Sequence, residues 1–222
     1  LTPAFKLSSL WASAGLSDAC ALTDDGDPIV LYDALADRWL LSQFALPSFP
    51  NPPFFECIAI SKTGDPTGAY YVYSFNTPGN ELPDYPKIGV WPDAYYMTTN
   101  QFTNGGPFHG AGFYAFDRAK MLAGDPSASL LYTSMTEGCP ACLIGGVLPS
   151  DLDGLTPPPA GAPNVFAMFL ATEFADPLDG LRLWNVSANF DTMTLTIADR
   201  AESPVAVAAF DPRSPTGRAD IE

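Results

Sequence analysis

The sequence predicts an all-β protein built from repeated, four-stranded antiparallel sheets, and three observations support this prediction. Short runs rich in Val, Ile, Tyr, Phe and Trp alternate with turns rich in Pro, Gly, Asp and Asn. The 222 residues include 23 Pro and 18 Gly, which is high for a helical protein. Groups of such runs recur about every 60 residues, which is the signature of a β-propeller, a ring of four-stranded sheets called blades. A β-sandwich, the alternative with many short strands, has no such repeat.

The first repeat covers residues 24–80 and the second covers residues 81–145. In each, an apolar strand preceded by Asp and Pro is followed by an aromatic strand that ends in Gln-Phe. The Gly-Asp-Pro turn at residues 64–66 recurs at residues 124–126. A third, weaker copy covers residues 146–210. One such sheet cannot bury both of its faces, so we expect neighbouring blades to stack and form the core.

Three segments fall outside the strand pattern. The stretch 116–123 is helical in character and is predicted as an insertion in a hairpin loop. Residues 155–164 are predicted to form an extended, Pro-rich loop, and residues 211–222 a polar tail.

The blade count predicts an incomplete ring. Repeats of this length give about three to four blades, whereas propellers usually close with four to eight. We therefore interpret residues 1–222 as a single partial propeller. We expect another polypeptide, or the missing part of the same propeller, to complete it.

The charge of the chain excludes several classes of partner. There are 10 Lys and Arg against 25 Asp and Glu, for a net charge of −15. Such a chain cannot neutralise a row of phosphates, which argues against nucleic acid and against anionic lipid. It has no run of about 18 apolar residues, so we expect it not to span a membrane.

The four cysteines indicate an oxidising compartment. An even number in an acidic, Pro-rich chain predicts a secreted, extracellular or cell-surface protein, with the periplasm as an alternative. Of three pairings, the simplest joins Cys20 to Cys57 and Cys139 to Cys142. The Cys139-Pro-Ala-Cys142 motif also permits redox chemistry. That chemistry requires a helix N-terminus, however, and the flanking residues are typical of a loop.

Four motifs carry a resemblance to a known family. They are GDPIVLYD at 26–33 with RW at 38–39, ISKTGDPTG at 60–68, DYPKIGVWPD at 84–93 and LPSDLDG at 148–154. They resemble a family of secreted, largely uncharacterised bacterial β-propeller proteins, over roughly residues 20–210. The resemblance implies a propeller fold and an internal fragment of a longer propeller. It brings no established activity and no catalytic residues.

Candidate site residues come from the acidic turns. Asp27, Asp84 and Asp151 each precede the first strand of a repeat, so a propeller would arrange them around its axis. Carboxylates there have three interpretations: turn formation, Ca²⁺ binding, or an acid/base pair acting on glycans. The Ca²⁺ candidates are Asp24, Asp25, Asp27, Asp151 and Asp153.

Other polar residues are predicted to be structural. We expect Asp33 and Asp93 to accept backbone N–H groups in the turn after the first strand of their repeat. His109 is the only histidine and lies in a Gly-rich loop, where a structural role is the more common one.

No catalytic constellation is evident in the sequence. The favoured function is therefore a binding or assembly module for glycan or protein, or a subunit of an extracellular complex. The alternative is a glycan-active hydrolase or lyase that uses carboxylates at the propeller channel.

Overall fold

Three antiparallel sheets, each made of consecutive strands, form the protein in a computed structural model that describes residues 4–135 and 144–213. Sheet 1 contains β1 (Gly26–Asp33), β2 (Arg38–Ala45), β3 (Phe55–Ser61) and β4 (Tyr70–Asn76). Sheet 2 contains β5 (Glu81–Val90), β6 (Tyr95–Thr103), β7 (Phe108–Phe116) and β8 (Leu130–Met135). Sheet 3 contains β9 (Leu148–Pro149), β10 (Asn164–Leu170), β11 (Gly180–Asn189) and β12 (Thr194–Asp199), and β13 (Val205–Ala206) also pairs with β11. The predicted all-β class and four-stranded antiparallel sheets are confirmed, but the sheets form no closed ring within the described ranges.

The helices are short and lie at the edges of this arrangement. They are α1 (Ser9–Ser13), α2 (Ala19–Leu22) and α3 (Arg118–Ala123), with a 3₁₀ turn at Thr172–Phe174. The prediction of a helix between two hairpin strands is confirmed by α3. It begins after Asp117, whose side chain accepts from Lys120 N–H, and it ends at Gly124 with a φ of 71°. The sequence analysis missed α1 and α2 because helices of one turn carry no periodic pattern.

Apolar side chains fill the space between successive sheets. The layer between sheets 1 and 2 is lined by Leu40, Ile58, Ile60, Tyr95, Met97, Tyr114 and Phe116. The layer between sheets 2 and 3 is lined by Tyr96, Phe113, Phe166, Trp184 and Val186. A third group, around Trp11, lies between α1, α2 and the outer face of sheet 1. The strand β3 is buried almost throughout because both of its faces are covered.

The first strands of the three sheets are neighbours, since β1 contacts β5 and β5 contacts β9. Both β1 and β5 contain a bulge, at Asp27-Pro28 and at Tyr85-Pro86. The first residue of each bulge has a positive φ, 47° at Asp27 and 55° at Tyr85. Tyr85 therefore occupies the position of Asp27, and the sequence alignment of Asp27 with Asp84 is wrong by one residue.

One of the two predicted disulfides is confirmed. Cys20 and Cys57 are bonded, with a Cα–Cα distance of 5.6 Å, and they join α2 to β3. Cys139 and Cys142 lie outside the described residues. Within the described ranges, no helix is long and apolar enough to cross a membrane.

Candidate functional site

Two of the three carboxylates predicted to surround an axis accept hydrogen bonds from the neighbouring sheet. Asp27 in β1 accepts from Tyr85 N at 3.2 Å, and Asp151, beyond β9, accepts from Val90 N at 2.7 Å. Tyr85 and Val90 are five residues apart in β5, which is about 17 Å along a strand. Asp27 therefore contacts the middle of β5, whereas Asp151 contacts its last residue, so the two carboxylates lie far apart along this strand. Asp84 also lies near the middle of β5, next to Tyr85.

The carboxylates in the acidic turn before β1 also accept hydrogen bonds from other parts of the protein. The Asp24 carboxylate accepts from Ser8 N at 2.8 Å and from Ser8 Oγ at 2.7 Å, and Asp25 accepts from Leu46 N at 2.6 Å. Burial raises the pKa of Asp24, but the hydrogen bonds from Ser8 outweigh it, so the pKa lies below its ordinary value. Asp153 is exposed. Among the described residues, no three His, Cys, Asp or Glu side chains come together in a way that could hold a metal ion.

A buried ion pair joins the turn after β1 to sheet 2. Asp33 is fully buried and accepts from Ala36 N at 3.1 Å, as the sequence predicted. Its carboxylate also accepts from Arg118 Nε at 2.7 Å and from the Tyr95 hydroxyl at 2.8 Å. Burial and the Asp33 charge raise the pKa of Tyr95. The sequence analysis missed Arg118, which is 85 residues from its partner.

The other polar side chains singled out in the sequence, Asp93 and His109, have structural contacts. Asp93 accepts from the Tyr96 hydroxyl at 2.9 Å, and burial raises the pKa of Asp93. His109 Nδ1 lies 3.2 Å from Glu81, with the His109 side chain half exposed. Trp91 and Trp184 are buried in the layer between sheets 2 and 3.

The sequence analysis also missed a group of buried polar side chains between sheets 1 and 2, which we call the polar layer. Its members are Ser42, Glu56, Thr99, Gln101 and Tyr114, and each is at most 3% exposed. Side chains alternate along a strand, so residues two apart share a face. Glu56 thus shares the face of Ile58, and Thr99 shares that of Met97, in the layer between the two sheets. The five residues extend this apolar layer towards the end where Asp27 lies.

Glu56 is the chemically distinctive member of the polar layer. Burial raises its pKa from 4.5 to about 8, opposed by the Ser42 hydroxyl and assisted by the charge of Asp27. Burial, followed by the charges of Tyr132 and Glu56, raises the pKa of the Tyr114 hydroxyl, and hydrogen bonding with Thr99 and Gln101 opposes this rise. Glu56 is therefore a neutral acid at neutral pH. The one sequence signal for it is a Glu within the apolar run Phe-Glu-Cys-Ile-Ala-Ile.

The raised pKa of Glu56 predicts a pH dependence of stability. The unfolded state loses its proton near the ordinary value of 4.5, whereas the folded state keeps it until about 8. Stability is therefore full below 4.5 and falls across this window. We expect a loss of roughly 2 kcal/mol between pH 6 and pH 8. Urea unfolding in buffers without metal salts measures it, and Glu56→Gln should flatten this part of the profile. An equal slope in Glu56→Gln would assign the pH dependence to another group.

Both end sheets leave apolar surface uncovered. On the outer face of sheet 3, Leu148 is 50%, Phe169 44% and Leu181 37% exposed. On the outer face of sheet 1, α1 and α2 cover the half formed by β3 and β4. The half formed by β1 and β2 borders a groove of about 730 Å³, whose lining includes Phe5, Val30 and Leu41.

Comparison with protein families, curated proteins and solved structures gives no match. The chain itself presents three joined sheets, two open end faces and one buried polar layer.

Proposed function

We propose that the chain is a run of three consecutive propeller blades that works as a binding and assembly module, secreted or at a cell surface. The observation that carries this proposal is the uncovered apolar face at each end of the row of sheets. The Cys20–Cys57 disulfide supports an oxidising compartment. The engagement of Asp27 and Asp151 with backbone N–H groups supports binding over catalysis.

The face of sheet 3 resembles faces that are covered elsewhere in the protein. Sheet 2 presents Tyr96 and Phe113 to sheet 3, and both are fully buried there. Sheet 3 presents Phe169 and Leu181, paired across β10 and β11, on its opposite side. Phe174 and Phe210 flank Phe169, with ring centroids 6.2 and 6.1 Å from it. This aliphatic and aromatic surface suits another sheet better than a glycan, which needs polar partners.

The occupant we propose is a second copy of the chain. The open half of sheet 1 contains β1, the strand that lies next to the first strand of sheet 2. A copy that placed its sheet 3 there would repeat the existing order of sheets. Two copies of three sheets give six, within the usual four to eight blades, and a two-fold arrangement closes without a free end. The motifs resembling those of secreted bacterial propellers add support for this architecture.

Native mass spectrometry and light scattering of the 222-residue chain test this proposal. We expect a species of twice 23.7 kDa, favoured by added salt because each copy carries a net charge of −15. Phe169→Asp should weaken association at least about tenfold, because it places a charge in the contact.

The matched control is Leu155→Asp, since Leu155 is 79% exposed in the Pro-rich loop. This variant should associate like the unaltered chain. A purely monomeric chain at all salt concentrations, or equal weakening by both variants, would overturn the proposal.

A further inference from the structure

We infer that a pocket between the turn after β5 and the Pro-rich loop after β9 binds a small organic cation, with Asp93 as the residue that holds its charge. The pocket has a volume of about 350 Å³. This inference goes beyond the proposed function and does not depend on it. The residues that line the pocket are separate from those of the two open end faces.

The walls of the pocket are almost entirely apolar. They are formed by Trp91, Pro92 and residues 157–162 of the Pro-rich loop, with Asp93 as the one charged side chain. Trp91 Nε1 donates to Ala162 O at 2.9 Å, which fastens the loop to the turn. The prolines at 157–159 have a fixed φ, so the loop loses little freedom when a ligand binds. Small-molecule pockets have this character, being mostly apolar with a few polar groups, and the volume lies at the lower end of their range.

Asp93 resembles Asp33 in its place in the fold, but it lacks the cation that Asp33 binds. Asp33 ends β1, Asp93 follows β5 in the turn to β6, and each accepts from a tyrosine hydroxyl of β6. Asp33 also binds the guanidinium of Arg118. Among the described residues, no cation lies within ion-pair distance of Asp93. Burial raises the pKa of Asp93 against its hydrogen bonds and the charge of Arg118.

Sheet 3 supplies no counterpart of Arg118 to Asp93. Arg118 begins α3, which lies in the connection between the third and fourth strands of sheet 2. The same connection in sheet 3 is the short turn at residues 190–193, Phe-Asp-Thr-Met, which contains neither Lys nor Arg. An external cation would give Asp93 the opposite charge that Arg118 gives Asp33. The apolar walls would cover the rest of the ligand, so the pocket selects an ammonium or guanidinium group on a compact apolar body.

Titration with phenethylamine at neutral pH, followed by NMR, tests the pocket. The reporter is the indole N–H of Trp91, whose signal is assigned with Trp91→Phe. We expect this signal to shift until one site per chain is filled. Phenethyl alcohol has the same shape without the charge, so it should bind at least about tenfold more weakly. Asp93→Asn should weaken the binding of phenethylamine by a similar factor, because it removes the charge and keeps the shape of the side chain.

The matched control is Asp153→Asn, which removes an exposed carboxylate just before the Pro-rich loop. This variant should bind phenethylamine like the unaltered chain. Ala160→Phe provides a second variant, which adds bulk to the pocket wall, leaves Asp93 in place and should also weaken binding at least about tenfold. No shift in the unaltered chain, equal affinity for the amine and the alcohol, or equal affinity in Asp93→Asn and Asp153→Asn would overturn the inference.

Discussion

Replacing Arg118 with Ala is expected to destabilise the protein by about 3–5 kcal/mol. Arg118 Nε and its Nη2 lie 2.7 and 2.9 Å from the two oxygens of Asp33, which is fully buried. Removing the guanidinium leaves this carboxylate in the interior with no opposite charge. The pair joins the turn after β1 to α3 of the next sheet, so its loss should loosen the contact between the two sheets. Urea unfolding monitored by tryptophan fluorescence measures the effect.

Two variants keep this prediction specific. Arg213→Ala removes a pair in which both side chains are more than half exposed, and it should change stability little. The double variant Asp33→Asn with Arg118→Ala removes both charges. If the cost comes from an uncompensated charge, the double variant should lose less stability than Arg118→Ala alone. Equal losses in Arg118→Ala and Arg213→Ala would contradict the prediction.

The strands could be predicted from the sequence more easily than the long-range contacts that join the sheets, and the Asp33–Arg118 ion pair shows why. Strand positions follow from local runs and turns, and α3 follows from its own cap and Gly124. The turn role of Asp33 was also local, since Ala36 is three residues away. Arg118 is 85 residues from Asp33, and nothing in either local pattern encodes that contact.

The contacts of the predicted carboxylates depend on features that a local sequence pattern does not encode. The position of Asp27 depends on a bulge, which shifts the equivalent residue in β5 to Tyr85. Asp151 comes after β9 and reaches the far end of β5. A bulge shifts the pairing of two strands by one residue. The pattern of apolar and polar residues does not reveal this shift.

The polar layer could be predicted from the sequence only in part. A Glu in an apolar strand is visible in the sequence, but the other members of the polar layer come from three strands of two sheets. Their common face follows only from the observed register. The sequence therefore predicts that Glu56 is unusual, and the structure identifies what it faces.

Removing the Cys20–Cys57 disulfide is expected to cost about 4 kcal/mol. The bond closes a loop with a sequence separation of 37 residues, which restricts the unfolded chain strongly. It also joins α2 to β3, beside the contact in which Trp11 Nε1 donates to Tyr73 O at 3.2 Å. Cys20→Ala with Cys57→Ala should therefore unfold at lower urea and expose the half of sheet 1 that α1 and α2 cover.

The control for this prediction is Cys139→Ala with Cys142→Ala. That predicted pair encloses only two residues, so the loop-closure model assigns it less than half of the loss. Dithiothreitol added to the unaltered chain should reproduce the loss seen in the Cys20 and Cys57 variant. An unchanged urea midpoint after reduction would contradict the prediction and show that the fold does not depend on the bond.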